Sequence, residues 1–161
     1  MSGLNREATV TIAAAPEKVW ELVSDVTRIG EFSPETFEAR WTHGATGPAV
    51  GARFKGHVKR NGVGPTYWSP CTVTKCEEPG PDGTGVFEFM VGLDGSAWTN
   101  WGYRLTPEGP DGSATRVTEY FRLEPKWFLR GYWLVLGGLR GRSNERDMRT
   151  TLERMKAVLE A

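Results

Sequence analysis

The sequence predicts an α+β fold in which a bent antiparallel sheet of about seven strands wraps around a long C-terminal helix, with two short helices after the first strand. Three observations predict it: a strand pattern and helical patterns come first, a run of strand patterns with short polar connections follows, and the chain ends in amphipathic helical periodicity. No linker or compositional break divides the 161 residues, so we expect a single domain over 1–161.

The N-terminal residues predict the first strand and the two short helices. Over 7–13, small and β-branched residues alternate with apolar ones, which is typical of a strand. Pro16 then stands where the first turn of a helix tolerates proline. A second short helix is predicted over 25–32, and it ends at Ser33 because Pro34 restricts the residue before it.

Six further strands are predicted at fairly regular intervals. They cover 36–42, 52–60, 67–76, 86–91, 97–106 and 114–123. The connections are rich in Gly, Pro, Asn and Asp, which favour turns. Short connections predict an antiparallel meander, because parallel neighbours need long crossovers.

The final helix is predicted over 143–161, which lacks both Gly and Pro. The preceding segment, 127–141, contains several glycines, each of which weakens a helix by roughly 1 kcal/mol relative to alanine. That segment could be a kinked part of the same helix or a separate short helix. One face of the final helix carries residues at steps of three and four: Asn144, Met148, Leu152, Met155 and Leu159.

Four short motifs carry a resemblance to a known family. They are AAPEKVW at 14–20, GARF at 51–54, TRVTE at 115–119 and MRTTLERMK at 148–156. In this order they resemble the helix-grip fold of the START-related (SRPBCC) superfamily, which includes the plant pathogenesis-related pollen allergens. They are most similar to its bacterial polyketide cyclase/dehydrase-like group. The resemblance covers nearly the whole chain, and it implies a START-like domain with a cavity for an apolar ligand between sheet and helix.

Period-two alternation sorts the strands into an inner and an outer face. The basic residues at 53, 55, 57 and 59 are assigned to solvent, and so is Glu88. A three-residue hairpin loop at 93–95 fixes the register of the following strands. The pairs that it predicts are Phe87 with Trp101 and Phe89 with Thr99, and the turn at 108–112 then predicts Tyr103 with Val117 and Trp101 with Glu119.

Glu119 points inward in this register and is the best candidate for a catalytic residue. Desolvation among aromatic side chains would raise the pKa of its carboxyl group, which could then act as a general acid or bind a hydroxyl or amine of the ligand. A β-bulge that reverses the parity of the strand would instead leave Glu119 in solvent.

The predicted ligand-binding residues share the inner face of the sheet or the facing side of the C-terminal segment. Glycines among them remove side-chain volume, although the alternative is close backbone packing, and the aromatic residues could be ordinary core. The predicted set is Phe54, Gly56, Val58, Phe87, Phe89, Trp101, Tyr103, Glu119, Phe121, Trp133, Gly137, Gly141 and Asn144.

Composition and motif spacing disfavour several classes of function. Lys plus Arg and Asp plus Glu both number 20, so nucleic acid is not an expected partner. His43 and His57 have no metal-ligand spacing, and no phosphate-binding glycine motif occurs, so we expect no metal and no cofactor. Cys71 and Cys76 are five apart on one predicted strand, so we expect them on opposite faces and unbridged.

The N-terminus has no apolar run of signal-peptide length, and the apolar stretch 127–139 is too short to span a bilayer. We therefore expect a cytoplasmic protein without stable membrane insertion. Three functions remain open. The first is binding of an apolar polyketide, lipid or aromatic metabolite, and the second is a polyketide cyclase or dehydratase in which Glu119, with Tyr103 or Asn144, moves protons. The third is a protein-interaction domain that uses 127–136, a segment that could also form a homodimer contact.

Overall fold

The computed structural model describes residues 5–59, 64–92, 99–123 and 130–161, with side chains from Glu145 onward in the last range. Its helices are α1 at Pro16–Ser24, a 3-10 helix at Val26–Glu31 and α2 at Arg130–Glu160. The strands are β1 at Asn5–Ile12, β2 at Thr36–Thr42, β3 at Arg53–Val58, β4 at Tyr67–Glu77, β5 at Gly85–Val91, β6 at Thr99–Glu108 and β7 at Ala114–Leu123.

The strands form one seven-stranded sheet in the order β1-β7-β6-β5-β4-β3-β2, and every neighbouring pair is antiparallel. The meander from β2 to β7 is therefore confirmed. Strand β1 returns to the far edge and pairs with β7, which places the beginning of the chain beside the strand that precedes α2.

The short helices follow the local sequence signals. Pro16 occupies the first position of α1, and the helix buries Val19 and Leu22 against the sheet. Trp20, also in α1, meets the ring of Phe87 edge-on at 6.1 Å between centroids. At the start of the 3-10 helix, Oδ1 of Asp25 accepts a hydrogen bond from the backbone N–H of Thr27 at 3.1 Å, so this carboxylate caps the helix.

Helix α2 runs through the glycine-containing segment without interruption from Arg130 to Glu160. A separate short helix before 143, one of the two alternatives left open by the sequence, is therefore not found. Helix propensity is a weak preference that tertiary context overrides. In the described part of the helix, Met148, Leu152 and Met155 are buried, as the predicted apolar face requires.

Strands β5 and β6 pair two residues away from the predicted register. Phe87 pairs with Tyr103 and Phe89 with Trp101, so the predicted partners of both phenylalanines are wrong. At the end of the described pairing, Val91 is opposite Thr99, whereas the predicted register pairs Phe89 with Thr99. The predicted loop at 93–95 lies outside the described residues.

The pairing of β6 with β7 is shifted in the same way. Tyr103 pairs with Glu119 and Trp101 with Phe121, whereas Val117 and Glu119 were the predicted partners. Strand β6 continues to Glu108, two residues beyond its predicted end, and this moves the turn along the chain. A shift of two residues keeps every side chain on its face, so the predicted inner face survives both errors.

A β-bulge between Val73 and Lys75 reverses the parity of β4. Cys71 pairs with Val91 and Cys76 with Phe87, and both partners belong to the inner face of β5. The prediction that the two cysteines lie on opposite faces is therefore wrong, because the bulge inserts one residue between them. Both thiols are free.

The core lies between the inner face of the sheet and the helices. Its fully buried side chains include residues of α1, the sheet and α2, namely Ile12, Val19, Leu22, Val73, Phe87, Leu105, Val117, Leu152 and Met155. In the part of the chain that the structure describes, no helix is both long enough and apolar enough to cross a membrane.

Candidate ligand pocket

A pocket of about 140 Å³ lies between the inner face of the sheet and α2. Strands β3 to β7 supply one wall, and Asp147, Met148 and Thr151 of α2 supply the facing one. The rim is formed by Ile29 of the 3-10 helix and by residues 33–36, which lead into β2. The pocket thus lies where the family resemblance implies a cavity.

Seven of the predicted ligand-binding residues line this pocket: Phe54, Gly56, Val58, Phe89, Trp101, Tyr103 and Glu119. Phe87 and Phe121 are not among its lining residues; Phe87 is buried against Trp20, and Phe121 packs against Trp101 at 5.1 Å between ring centroids. The remaining four predictions concern side chains outside the described part of the structure: Trp133, Gly137, Gly141 and Asn144.

The sheet wall of the pocket is mostly apolar. Phe54 and Phe89 pack edge-on at 5.1 Å between ring centroids, and Trp101 lies across the strand pair from Phe89. Gly56 belongs to this wall, and a Cβ atom added there would lie 3.1 Å from the methyl group of Thr36. The glycine therefore leaves space at the rim, where any larger side chain would press against Thr36.

Glu119 contributes a carboxyl group to the sheet wall, and it is only 4% exposed. The hydroxyl of Tyr103 donates a hydrogen bond to its Oε1 at 3.2 Å, whereas Oε2 is buried and has no hydrogen-bond partner. Burial, opposed by the Tyr103 hydrogen bond and reinforced by the charge of Asp147, raises the pKa of Glu119 to about 8. Of the two alternatives left open by the sequence, the inward position is confirmed.

Tyr103 keeps its proton in this environment. Burial and the neighbouring Glu119 carboxylate raise the pKa of the Tyr103 hydroxyl well above its ordinary value of 10.0. The hydroxyl is therefore a permanent donor, and Glu119 is the group of the pair that can gain or lose a proton near neutral pH.

Asp147 faces the pocket from α2, and sequence reasoning missed it. Its Oδ2 is buried without a hydrogen-bond partner, and Oδ1 lies 3.9 Å from Nε of Arg146, a side chain that is 73% exposed. Helical periodicity places Asp147 beside the buried face of α2, because it precedes Thr151 and Met155 at four-residue steps and both of those residues are buried. The predicted polar position on this helix was Asn144, almost one turn earlier.

Several other lining residues were also missed. Most of them lie on β4 or on the segment that leads into β2, whereas Ile29 belongs to the 3-10 helix and Val91 to the inner face of β5. Neither the period of β4 beyond its bulge nor the path of residues 33–36 could be predicted from hydrophobic alternation. This group comprises Ile29, Ser33, Pro34, Glu35, Thr36, Tyr67, Ser69, Cys71 and Val91.

Glu88 is a second buried carboxylate, but it lies on the outer face of the sheet. The predicted outer face is confirmed, whereas the predicted exposure to solvent is wrong, because Glu88 is only 4% exposed. The hydroxyl groups of Tyr120 and Thr74 donate hydrogen bonds to it at 2.6 and 2.9 Å, and Nζ of Lys75 lies at 3.8 Å. Both of its oxygens are therefore partnered, in contrast to those of Glu119.

The charged groups in the described lining of the pocket are all acidic. Its described lining contains the carboxyl groups of Glu35, Glu119 and Asp147 and no Lys, Arg or His side chain. Among the residues that the structure describes, no three His, Cys, Asp or Glu side chains are close enough together to hold a metal ion. The arrangement can hold an apolar molecule and can offer it hydrogen-bond acceptors at the Glu119 end.

The chain matches the protein family described as "Polyketide cyclase / dehydrase and lipid transport" over residues 5–160. A search among curated proteins finds no match to this sequence. The family match therefore covers all the described strands and helices.

Solved structures show a similar fold. A START superfamily protein from Mycobacterium smegmatis is 18% identical, with a TM-score of 0.67 over 97% of each chain. A STAR-related lipid transfer protein from Xanthomonas axonopodis is 13% identical, with a TM-score of 0.71 over 98% of this chain and 86% of the other. At these identities the similarity shows the fold alone.

Proposed function

Because this chain belongs to the polyketide cyclase/dehydrase and lipid transport family, we propose that it is a single ligand-binding domain that holds an apolar small molecule between its sheet and α2. The observation that carries the proposal is the pocket itself, which has an aromatic wall at Phe54, Phe89 and Trp101 and a carboxyl group at one end. Apolar walls supply affinity, and a few polar groups set the orientation of the ligand.

The pocket limits the size of the ligand, or of the part of it that is buried. An engineered protein cavity of about 150 Å³ holds a benzene molecule. At about 140 Å³, this pocket accommodates a group of similar size. A compact aromatic or aliphatic group therefore fits it, and a longer ligand would extend beyond the rim at residues 33–36.

A substitution that fills the pocket with a larger side chain tests the proposal. Toluene is a suitable probe, and its binding is measured by saturation-transfer NMR with wild type, Val58→Trp and Val86→Trp. Val58 lines the pocket, whereas the equally half-buried Val86 lies on the outer face of β5. We expect binding to wild type and Val86→Trp and its loss in Val58→Trp; toluene that fails to bind wild type, or that binds all three proteins equally, contradicts the proposal.

A second candidate function, a cyclase or dehydratase, is favoured by one specific observation. Glu119 has a pKa of about 8, so at neutral pH it is mostly a carboxylic acid that could protonate a leaving hydroxyl group. Tyr103 holds it in place. In this role Glu119 would release the proton in one step and recover it in the next.

Mass spectrometry of bound molecules separates the two functions. Wild type and Glu119→Gln are incubated with extract of the native host, and the bound molecules are released by denaturation. The same unchanged molecule from both proteins supports binding alone. A precursor retained by Glu119→Gln, together with its dehydrated or cyclised form from wild type, supports the enzyme. The third hypothesis, an interaction domain built on 127–136, concerns side chains outside the described residues and stays a prediction.

A further inference from the structure

Two carboxylate oxygens in the pocket lack partners, and they come from opposite walls. Oε2 of Glu119 belongs to β7 and Oδ2 of Asp147 to α2; both are buried, and neither has a hydrogen-bond partner among the residues that the structure describes. The two oxygens therefore do not bond to each other. A buried acceptor without a donor destabilises a protein, and it does so more strongly when the acceptor is charged.

Among the described side chains, none with a positive charge is paired with either of these oxygens. The guanidinium of Arg146 is largely exposed, and its Nε lies 3.9 Å from the other oxygen of Asp147, Oδ1. The guanidinium of Arg154 lies at the rim, where it donates a hydrogen bond to the backbone carbonyl of Ser33 at 3.4 Å. A metal ion does not fit either, because the described residues place no third ligand beside the two carboxyl groups.

A ligand can supply the donors that the described residues do not provide to these two oxygens. An ammonium group carries three N–H donors and a positive charge, so once Glu119 has released its proton to solvent the ammonium can donate to both oxygens at once. A neutral hydroxyl group has a single donor, so beside an ionised Glu119 it can satisfy only one of them. A carboxylate or phosphate carries no donor for either ionised oxygen.

We propose that the ligand carries a protonated amine on a compact apolar body, and that the amine donates hydrogen bonds to Oε2 of Glu119 and Oδ2 of Asp147. This inference deepens the proposed function and rests on it. The apolar body lies against Phe54, Phe89 and Trp101, and the volume of about 140 Å³ limits its buried part to about the size of one aromatic ring.

Four probes of one shape test the inference: benzylamine, benzyl alcohol, toluene and benzoate, with affinities measured by calorimetry or ligand-observed NMR at pH 7. We expect benzylamine to bind wild type at least tenfold more tightly than benzyl alcohol or toluene, and benzoate to bind most weakly. Glu119→Gln and Asp147→Asn should each weaken benzylamine at least tenfold and change toluene less than twofold.

Glu88→Gln is the matched control, since it makes the same change at a buried carboxyl group on the outer face of the sheet. It should bind all four probes as wild type does. Thermal unfolding checks that each variant is folded. If Glu119→Gln does not fold, Asp147→Asn carries the test, because the Asp147 side chain is 19% exposed on a helix surface.

The outcomes separate this inference from the proposed function. Toluene and benzyl alcohol that bind as tightly as benzylamine, with affinities unchanged in both pocket variants, would overturn the amine and leave an apolar binding pocket. Binding of none of the four probes to wild type would overturn the pocket as a binding site, and the amine with it.

Discussion

Tyr103 and Glu119 are direct partners across β6 and β7, and the Tyr103 hydroxyl donates a hydrogen bond to Oε1 of Glu119 at 3.2 Å. This bond favours the ionised carboxylate and therefore lowers the pKa of Glu119. Burial acts in the opposite direction with the larger effect, so that the pKa is raised to about 8. The pair thus holds a carboxylic acid that is mostly protonated at neutral pH.

Glu119 should make the stability of the protein depend on pH. The folded-state pKa of about 8 lies above the ordinary value of 4.5, so the stabilising proton is fully bound below about pH 4.5 and is lost as the pH rises to about 8. We expect the free energy of unfolding in urea to fall across this window by up to about 1.4 kcal/mol per pH unit. In Glu119→Gln this fall should disappear; parallel curves for the two proteins would contradict the raised pKa.

Tyr103→Phe should raise the pKa of Glu119 further. The change removes the one hydrogen bond that stabilises the ionised carboxylate and leaves the burial of Glu119 in place. A carbon-13 NMR titration of the glutamate carboxyl groups measures the shift. Tyr120→Phe is the matched control, because Tyr120 bonds to Glu88 on the other face; it should leave the titration of Glu119 unchanged. A lower pKa in Tyr103→Phe would show that the hydrogen bond does not act on the ionised form.

Gly102→Ala should destabilise the protein by about 1–3 kcal/mol. A Cβ atom at Gly102 would overlap the ring of Tyr120, which lies across this glycine and donates its hydroxyl to Glu88. At Gly56, by contrast, the added atom meets only a methyl group of Thr36 at 3.1 Å. Urea unfolding compares the two variants, and we expect the smaller loss for Gly56→Ala. Equal losses would mean that the Tyr120 ring moves aside freely.

The two cysteines should react slowly and in a fixed order. Burial raises the pKa of the Cys71 thiol to about 12, and it also raises that of the partly exposed Cys76. We therefore expect iodoacetamide to modify Cys76 before Cys71 in the native protein, as followed by mass spectrometry. Because Cys71 lines the pocket, a bound ligand should slow its modification and leave that of Cys76 unchanged. Faster modification of Cys71 would show that the pocket opens readily to solvent.

The faces of the strands could be predicted from sequence, whereas the pairing of the strands could not. Alternation decides whether Glu119 points inward, and an error of two residues in the register does not alter that result. The register of the strands depends on the lengths of the turns, which the sequence indicates much more weakly than it indicates the faces of the strands. The helix-grip fold of the START-related superfamily and the polyketide cyclase/dehydrase-like group are both confirmed.

Two features of the site depend on geometry that hydrophobic alternation does not encode. The bulge after Val73 brings Cys76 to the same face as Cys71, and no residue in β4 marks its position. Asp147 stands next to the apolar face of α2, so that a difference of one helical position decides whether it meets solvent or the pocket. Of the two buried carboxyl groups in the pocket, Glu119 was therefore predicted from the sequence and Asp147 was not.

The place of β1 in the sheet has a consequence for how the chain folds. Ala8 pairs with Glu119, and the backbone N–H of Ala13 donates to a carboxylate oxygen of Glu160, so the first strand depends on partners near the other end of the sequence. Contacts between residues so far apart slow folding, because a long loop must close before they form. On the ribosome, β1 has no strand to pair with until β7 is synthesised. The strand that carries Glu119 and the helix that carries Asp147 are the last two elements in the sequence, so the pocket cannot be complete before both have been synthesised.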